Sequence, residues 1–154
     1  MHPISNYKEL VSAVEHGIYG NDNWYFFIII NPNSETPAVK DFLKNYDYLD
    51  FRSRDIKYYI PGFVNWWTLE GRLLGQRYGN VRLDGEKPWE HFDILGMVET
   101  VEWLEESCPE YKYREGIDLV IVKSQKKDGK TILDVKNLIS IRLDDIYVGG
   151  GNIF

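Results

Sequence analysis

The stretch that decides the fold is WYFFIIINPNSETPAVKDFLKNYDYLDFRSRDIKYYIPGF, residues 24–63. It opens on WYFFIII (24–30), an aromatic and β-branched run without polar alternation, the mark of a strand buried on both faces and central in its sheet. NPNSETP follows, where Thr36 can cap a helix that has Pro37 in its first turn. PAVKDFLKNYDYL (37–49) then sets Val39, Phe42, Leu43 and Tyr46 on one side of a helix. DIKYYIPGF (55–63) reads as a second strand, stopped by Pro61-Gly62. Ile56, Tyr58 and Ile60 would share its buried face, and Lys57 and Tyr59 the other. Strand, helix and strand in this order predict a right-handed βαβ unit with parallel strands.

Working outward, Asn6 can cap a helix from Tyr7 to about His16, whose Leu10, Val11 and Val14 recur at helical spacing. On the C-terminal side, Val64–Lys87 is irregular, with a strand or hairpin around Gly79-Asn80. A long amphipathic helix is expected from Pro88 to about Ser107. Trp89, Phe92, Leu95, Val98, Val101 and Leu104 would form its apolar face, with additional burial at Met97 and Cys108, and its glutamates the wet one. GIDLVIVKSQ and KTILDVKNLISIRL then form two strands around an Asp128-Gly129 turn. YVGGGNIF carries no element signal. The prediction is one α/β domain over residues 1–154, with a mixed four- to five-stranded sheet and helices on its faces. Its order is α-β-α-β-(β)-α-β-β.

From Trp24 onward this order resembles the thioredoxin-like layout: βαβ, a connecting helix, then a β-hairpin. The turn after the first strand is NPNSETP rather than Cys-x-x-Cys, so the redox chemistry of that family is not implied. The terminal helix usual for that layout is not evident.

Composition narrows the function classes. A net charge of −6 argues against non-specific nucleic-acid binding, which needs a basic surface. The single cysteine, Cys108, excludes an internal disulfide and makes a structural zinc site unlikely. His2, His16 and His91 have no ligand spacing. The longest apolar run is too short to span a bilayer. Met1–Tyr19 lacks a basic head and a continuous apolar run, so no secretory leader is expected. The expectation is a cytoplasmic protein without cofactor.

Two constellations carry chemistry. Residues 52–87 hold seven cations against four anions, while both flanking segments are acidic. Phe63, Trp66, Trp67, Arg72, Arg77, Tyr78 and Arg82 fall in this stretch. Arginines interleaved with rings suit protein interfaces, and also anionic planar ligands held by stacking and phosphate pairing. Phe63–Trp67 is the favoured contact stretch. Asn33 and Ser34, where a strand ends and a helix begins, are a possible second wall. The favoured function is therefore non-catalytic: binding a protein partner, a second copy included, or an anionic nucleotide-like ligand.

The alternative is enzymatic. Asp118, followed by Asp134-Val135-Lys136 on the next strand, resembles the PD-(D/E)xK nuclease motif. That resemblance implies Asp118 and Asp134 as Mg²⁺ ligands, with Glu99 or Glu102 as a further carboxylate, and Lys136 as the catalytic lysine. On a regular strand, Asp134 and Lys136 would share a face.

Overall fold

The computed structural model describes residues 1–17, 22–53, 55–63 and 92–147. The strands are β1 (His2–Ile4), β2 (Trp24–Ile30), β3 (Tyr58–Pro61), β4 (Ile117–Lys127) and β5 (Lys130–Arg142). Among the described residues the helices are α1 (Tyr7–Glu15), α2 (Pro37–Lys44), α3 (Tyr46–Arg52), α4 (Ile94–Ser107) and α5 (Leu143–Ile146). One mixed five-stranded sheet results, in the order β1-β3-β2-β4-β5. β1, β3 and β2 run parallel, while β4 runs antiparallel to β2 and β5 antiparallel to β4.

The central run behaves as its composition dictates. In β2, Tyr25, Phe27 and Ile29 pack on one face with Leu10 and Val14 of α1 and Leu104 of α4. Ile28 and Ile30 pack on the other with Val39 and Phe42 of α2, Leu49 of α3 and Met97 of α4. The turn between β4 and β5 holds Asp128 at φ 51° and Gly129 at φ 76°. Two consecutive positive φ angles match the right-handed twist of the flanking strands, which is why Asp-Gly closes this hairpin.

Several local expectations are corrected. β1 has only three residues, including Pro3, and pairs alongside β3 at the sheet edge, where a missing N–H is tolerated. The helix expected over 37–49 is two helices. Asn45 separates them, its side-chain amide donating to the Asp41 carbonyl (2.9 Å) and carboxylate (3.2 Å). Such local bonds compete with helix continuation. β3 starts at Tyr58 rather than Asp55, and Ile56 is 43% exposed. Adjacent Tyr59 and Ile60 are both fully buried, so β3 is covered on two faces rather than one.

α4 is rotated from its expected orientation. It begins at Ile94, capped by the Asp93 side chain, which accepts from the Gly96 N–H at 3.1 Å. Phe92 precedes the helix and bridges to Phe63; Pro88–His91 and the Gly79-Asn80 hairpin lie outside the described residues. The buried face is Gly96, Met97, Thr100 and Leu104, whereas Leu95 and Val98 are exposed. Small and polar groups set this rotation. Thr100 Oγ1 accepts from the Tyr7 N–H (3.0 Å) and donates to the Gly96 carbonyl (2.8 Å). Gly96 brings the helix backbone against the Ser5 carbonyl, where a Cβ would collide.

Candidate functional site

The nuclease pattern does not assemble. Asp118 opposes Arg142 and Asp134 opposes Lys123, five residues further along β4. At about 3.3 Å per residue, that offset separates the two aspartates by about 16 Å. Two ligands of one Mg²⁺ ion lie within about 4 Å of each other, since each bond is about 2 Å. Between the pairs Ile121–Ile139 and Lys123–Asp134, β4 advances two residues and β5 five. This bulge begins at Asp134 and takes Lys136 out of the regular ladder with β4. Within it, the Asn137 amide donates to the Asp134 carboxylate at 2.9 Å. Among the described residues, no three His, Cys, Asp or Glu side chains form a group able to hold a metal ion.

Asp118 has a different role. It is buried, accepts from the Tyr111 hydroxyl at 3.0 Å, and pairs with the Arg142 guanidinium at 3.3 Å. Burial pushes its carboxyl above the ordinary aspartate value, against the pull of Tyr111 and Arg142. Burial likewise raises the Tyr113 hydroxyl to about 12. Arg142 also donates to the Arg114 and Glu115 carbonyls, and Asp144 accepts from the Ile117 N–H at 2.7 Å. These bonds tie α5 and the end of β5 to the start of β4. A polar cleft of about 360 Å³ opens beside them, but its central acid and base already satisfy each other.

The turn after β2 is mostly occupied with its own backbone. Asn31 Oδ1 accepts from the Asn33 N–H (2.9 Å), and Thr36 Oγ1 accepts from the Val39 N–H (3.4 Å). Asn33 is exposed. Ser34 is buried and its hydroxyl makes no hydrogen bond. Phe63, expected as a contact residue, is fully buried between Tyr46 and Phe92, at ring separations of 6.0 and 5.9 Å. It is a core side chain, because the chain enters the sheet's second hydrophobic cluster there rather than leaving for the surface. Trp66, Trp67, Arg72, Arg77, Tyr78 and Arg82 lie outside the described residues.

The surface that the described residues do present is one the sequence reading missed. Directly opposed residues share a face of a sheet. The register places Tyr58 beside Phe26, Phe26 opposite Ile121, and Ile121 opposite Ile139. Four strands thus carry one apolar ribbon from β3 to the β5 edge. The next row is Ile28, Leu119 and Ile141. The helices on this face cover Ile28 but leave the ribbon half-open: Phe26, Tyr58 and Ile121 are partly exposed, and Ile139 is 51% exposed. Trp24 extends the patch at 46% exposure, with the Lys123 ammonium 5.8 Å from its ring centroid. At the β3 end, a pocket of about 260 Å³ is lined by Leu49, Arg52, Ser53, Asp55, Ile56 and Tyr58.

No signal in β2 alone marks Trp24 and Phe26 as exposed, since the whole run is apolar. Regular pairing outward from Asp128-Gly129 would set Ile121 opposite Lys136. Only the bulge brings Ile139 there.

Searches of protein-family models, curated proteins and solved structures each returned no match to this chain. The likeness to the thioredoxin-like layout therefore rests on element order alone. Among the described residues, no helix is long and apolar enough to cross a membrane.

Proposed function

We propose that this chain is a non-catalytic binding domain that holds a protein partner on the half-covered face of its sheet. The observation that carries this reading is the ribbon Tyr58–Phe26–Ile121–Ile139, extended by Trp24. Contiguous exposed apolar surface costs solubility and marks interaction sites, whereas scattered apolar side chains do not. Its chemistry suits an interface: aromatic and β-branched side chains at the centre, with Lys123 and the Asp134 opposite it at the margin. The basic, aromatic segment over residues 52–87 is proposed as a second contact region, with Trp66, Trp67 and Arg72 its leading side chains. A net charge of −6 favours a protein over a nucleic acid. The proposed setting is the cytoplasm, in keeping with one buried cysteine, Cys108.

The test is quantitative co-purification of the tagged full chain against its Trp24→Ser and Ile139→Ser variants. Both side chains are exposed, so the variants should melt at the wild-type temperature. The reading expects a stoichiometric partner, or a second copy, that the variants hold at least about tenfold less well, as loss of an interface anchor does. Equal retention by all three chains, or no retained protein and no self-association in the wild type, overturns it.

A further inference from the structure

Resting on that protein-binding reading, we propose that the occupant of the β5 edge is a second copy of this chain, paired antiparallel about a two-fold axis at Ser140. β5 is the last strand in the sheet order, and among the described residues no strand pairs with its outer side. Such an edge is a template for another strand unless it is blunted. The half of β5 near the turn is blunted, by Lys130, Lys136 and the bulge. The other half is not. Ile139, Ser140 and Ile141, preceded by Leu138, form an uncharged, proline-free run, and these three keep regular register with β4. Two of its side chains, Ile139 and Ile141, stand exposed on the same face as the ribbon.

Symmetry then selects the register. A two-fold axis normal to the sheet keeps each face on its own side, so the axis must pass through a residue position. With the axis at Ser140, Ile139 of each copy faces Ile141 of the other. Moving it to Leu138 sets Ile139 opposite Asn137, and moving it to Ile139 sets Ile141 opposite Asn137. Only the Ser140 register among these joins both exposed isoleucines and continues the Leu119 and Ile121 rows of each copy into one apolar surface.

The charges agree with that register. Lys136 of one copy extends past Arg142 of the other, toward the end of β5 where Asp144 and Asp145 follow, and Asp145 is largely exposed. The contact is isologous and therefore closes at two copies. The ten-stranded sheet that results ends at both sides on β1, a three-residue edge containing Pro3, which is poorly suited to further pairing.

The experiment is light scattering on the full chain at high micromolar concentration, with mild oxidation of Ser140→Cys. The proposal expects twice the 18.1 kDa chain mass. It also expects a disulfide-linked Ser140→Cys dimer, because residues opposed across an antiparallel pair have Cα atoms about 4.5–5.5 Å apart, within disulfide reach. Thr131→Cys, on the half of β5 near the turn, should stay unlinked. Ile139→Lys should give a folded monomer with the circular dichroism spectrum of the wild-type chain. A wild-type monomer without Ser140→Cys cross-linking overturns the proposal, as does a dimer that survives Ile139→Lys and does not cross-link. In either case, Trp24→Ser releasing a different protein would leave the broader binding reading standing, so the two failures are distinguishable.

Discussion

Phe63→Ala separates a core side chain from a contact side chain at the point where the sheet meets the basic, aromatic segment. Phe63 has no exposed surface. Returning a buried phenylalanine side chain to water costs about 2–3 kcal/mol. Its edge-on contact with Phe92 and its tilted contact with Tyr46 each add about 0.5–1.5 kcal/mol. The sum, about 3–6 kcal/mol, overlaps the range of about 3–5 kcal/mol seen when a buried ring is truncated and a cavity left. A loss of about 4 kcal/mol is a large share of the 5–15 kcal/mol, roughly, that holds a domain together. At about 2–4 °C per kcal/mol for this chain length, the midpoint should fall by roughly 8–16 °C. Urea and thermal unfolding followed by circular dichroism measure both quantities. Phe63→Leu, which keeps most of the volume, should cost less than half as much. A Phe63→Ala loss below about 1 kcal/mol would place the ring at the surface and refute the packing described for it.

Further outcomes follow from other sites. Gly96→Ala should destabilise by about 1–2 kcal/mol in urea unfolding, because the clash with the Ser5 carbonyl outweighs the roughly 1 kcal/mol that alanine gains in an open helix; a stabilised variant would mean that α4 does not dock there. Asp118 has a raised carboxyl pKa, so the folded chain binds that proton more readily than the unfolded chain. Its contribution is fully present in acid, below the ordinary aspartate value, and is lost as pH rises through the raised one. The stability of Asp118→Asn relative to wild type should therefore improve as pH rises above the ordinary aspartate value of about 4, and a flat or falling difference contradicts the assignment. Asp134→Ala and Lys136→Ala should each change stability by less than about 0.5 kcal/mol, as surface substitutions do. Any Mg²⁺ effect on the melting temperature should be the same in Asp134→Ala as in wild type, since Asp134 stands too far from Asp118 to share an ion with it.

What the sequence disclosed and what it withheld divide along physical lines. The apolar run of β2, the Thr36-Pro37 helix start and the Asp128-Gly129 turn are local signals, and each predicted its element. The βαβ unit and the C-terminal hairpin follow from them. Features set by contacts between distant segments stayed hidden. β1 is too short to show a period. The rotation of α4 depends on Thr100 and Gly96 meeting Ser5 and Tyr7, more than ninety positions away, and helical periodicity alone favours Leu95 and Val98. The aromatic sequence around Phe63 suggests a side chain leaving the fold, whereas Phe63 enters it. The bulge in β5 is the costliest omission. It separates Asp134 from the register a nuclease would need, and it brings Ile139 opposite Ile121 to complete the ribbon. Candidate chemistry inferred from strand alternation was thus lost at the point where the apolar ribbon arose.

Hydrogen exchange across β5, measured on the full chain at high concentration, tests the proposed binding surface most directly. If the apolar face and its edge are covered in the working protein, the outward-facing amides within Leu138–Arg142 should exchange about as slowly as those of the buried strand β2. They should become fast on dilution or in Ile139→Lys, with β2 unchanged. Fast exchange of those outward-facing amides under every condition, beside a protected β2, would mean that the edge stays open to water and that the function lies elsewhere on the chain.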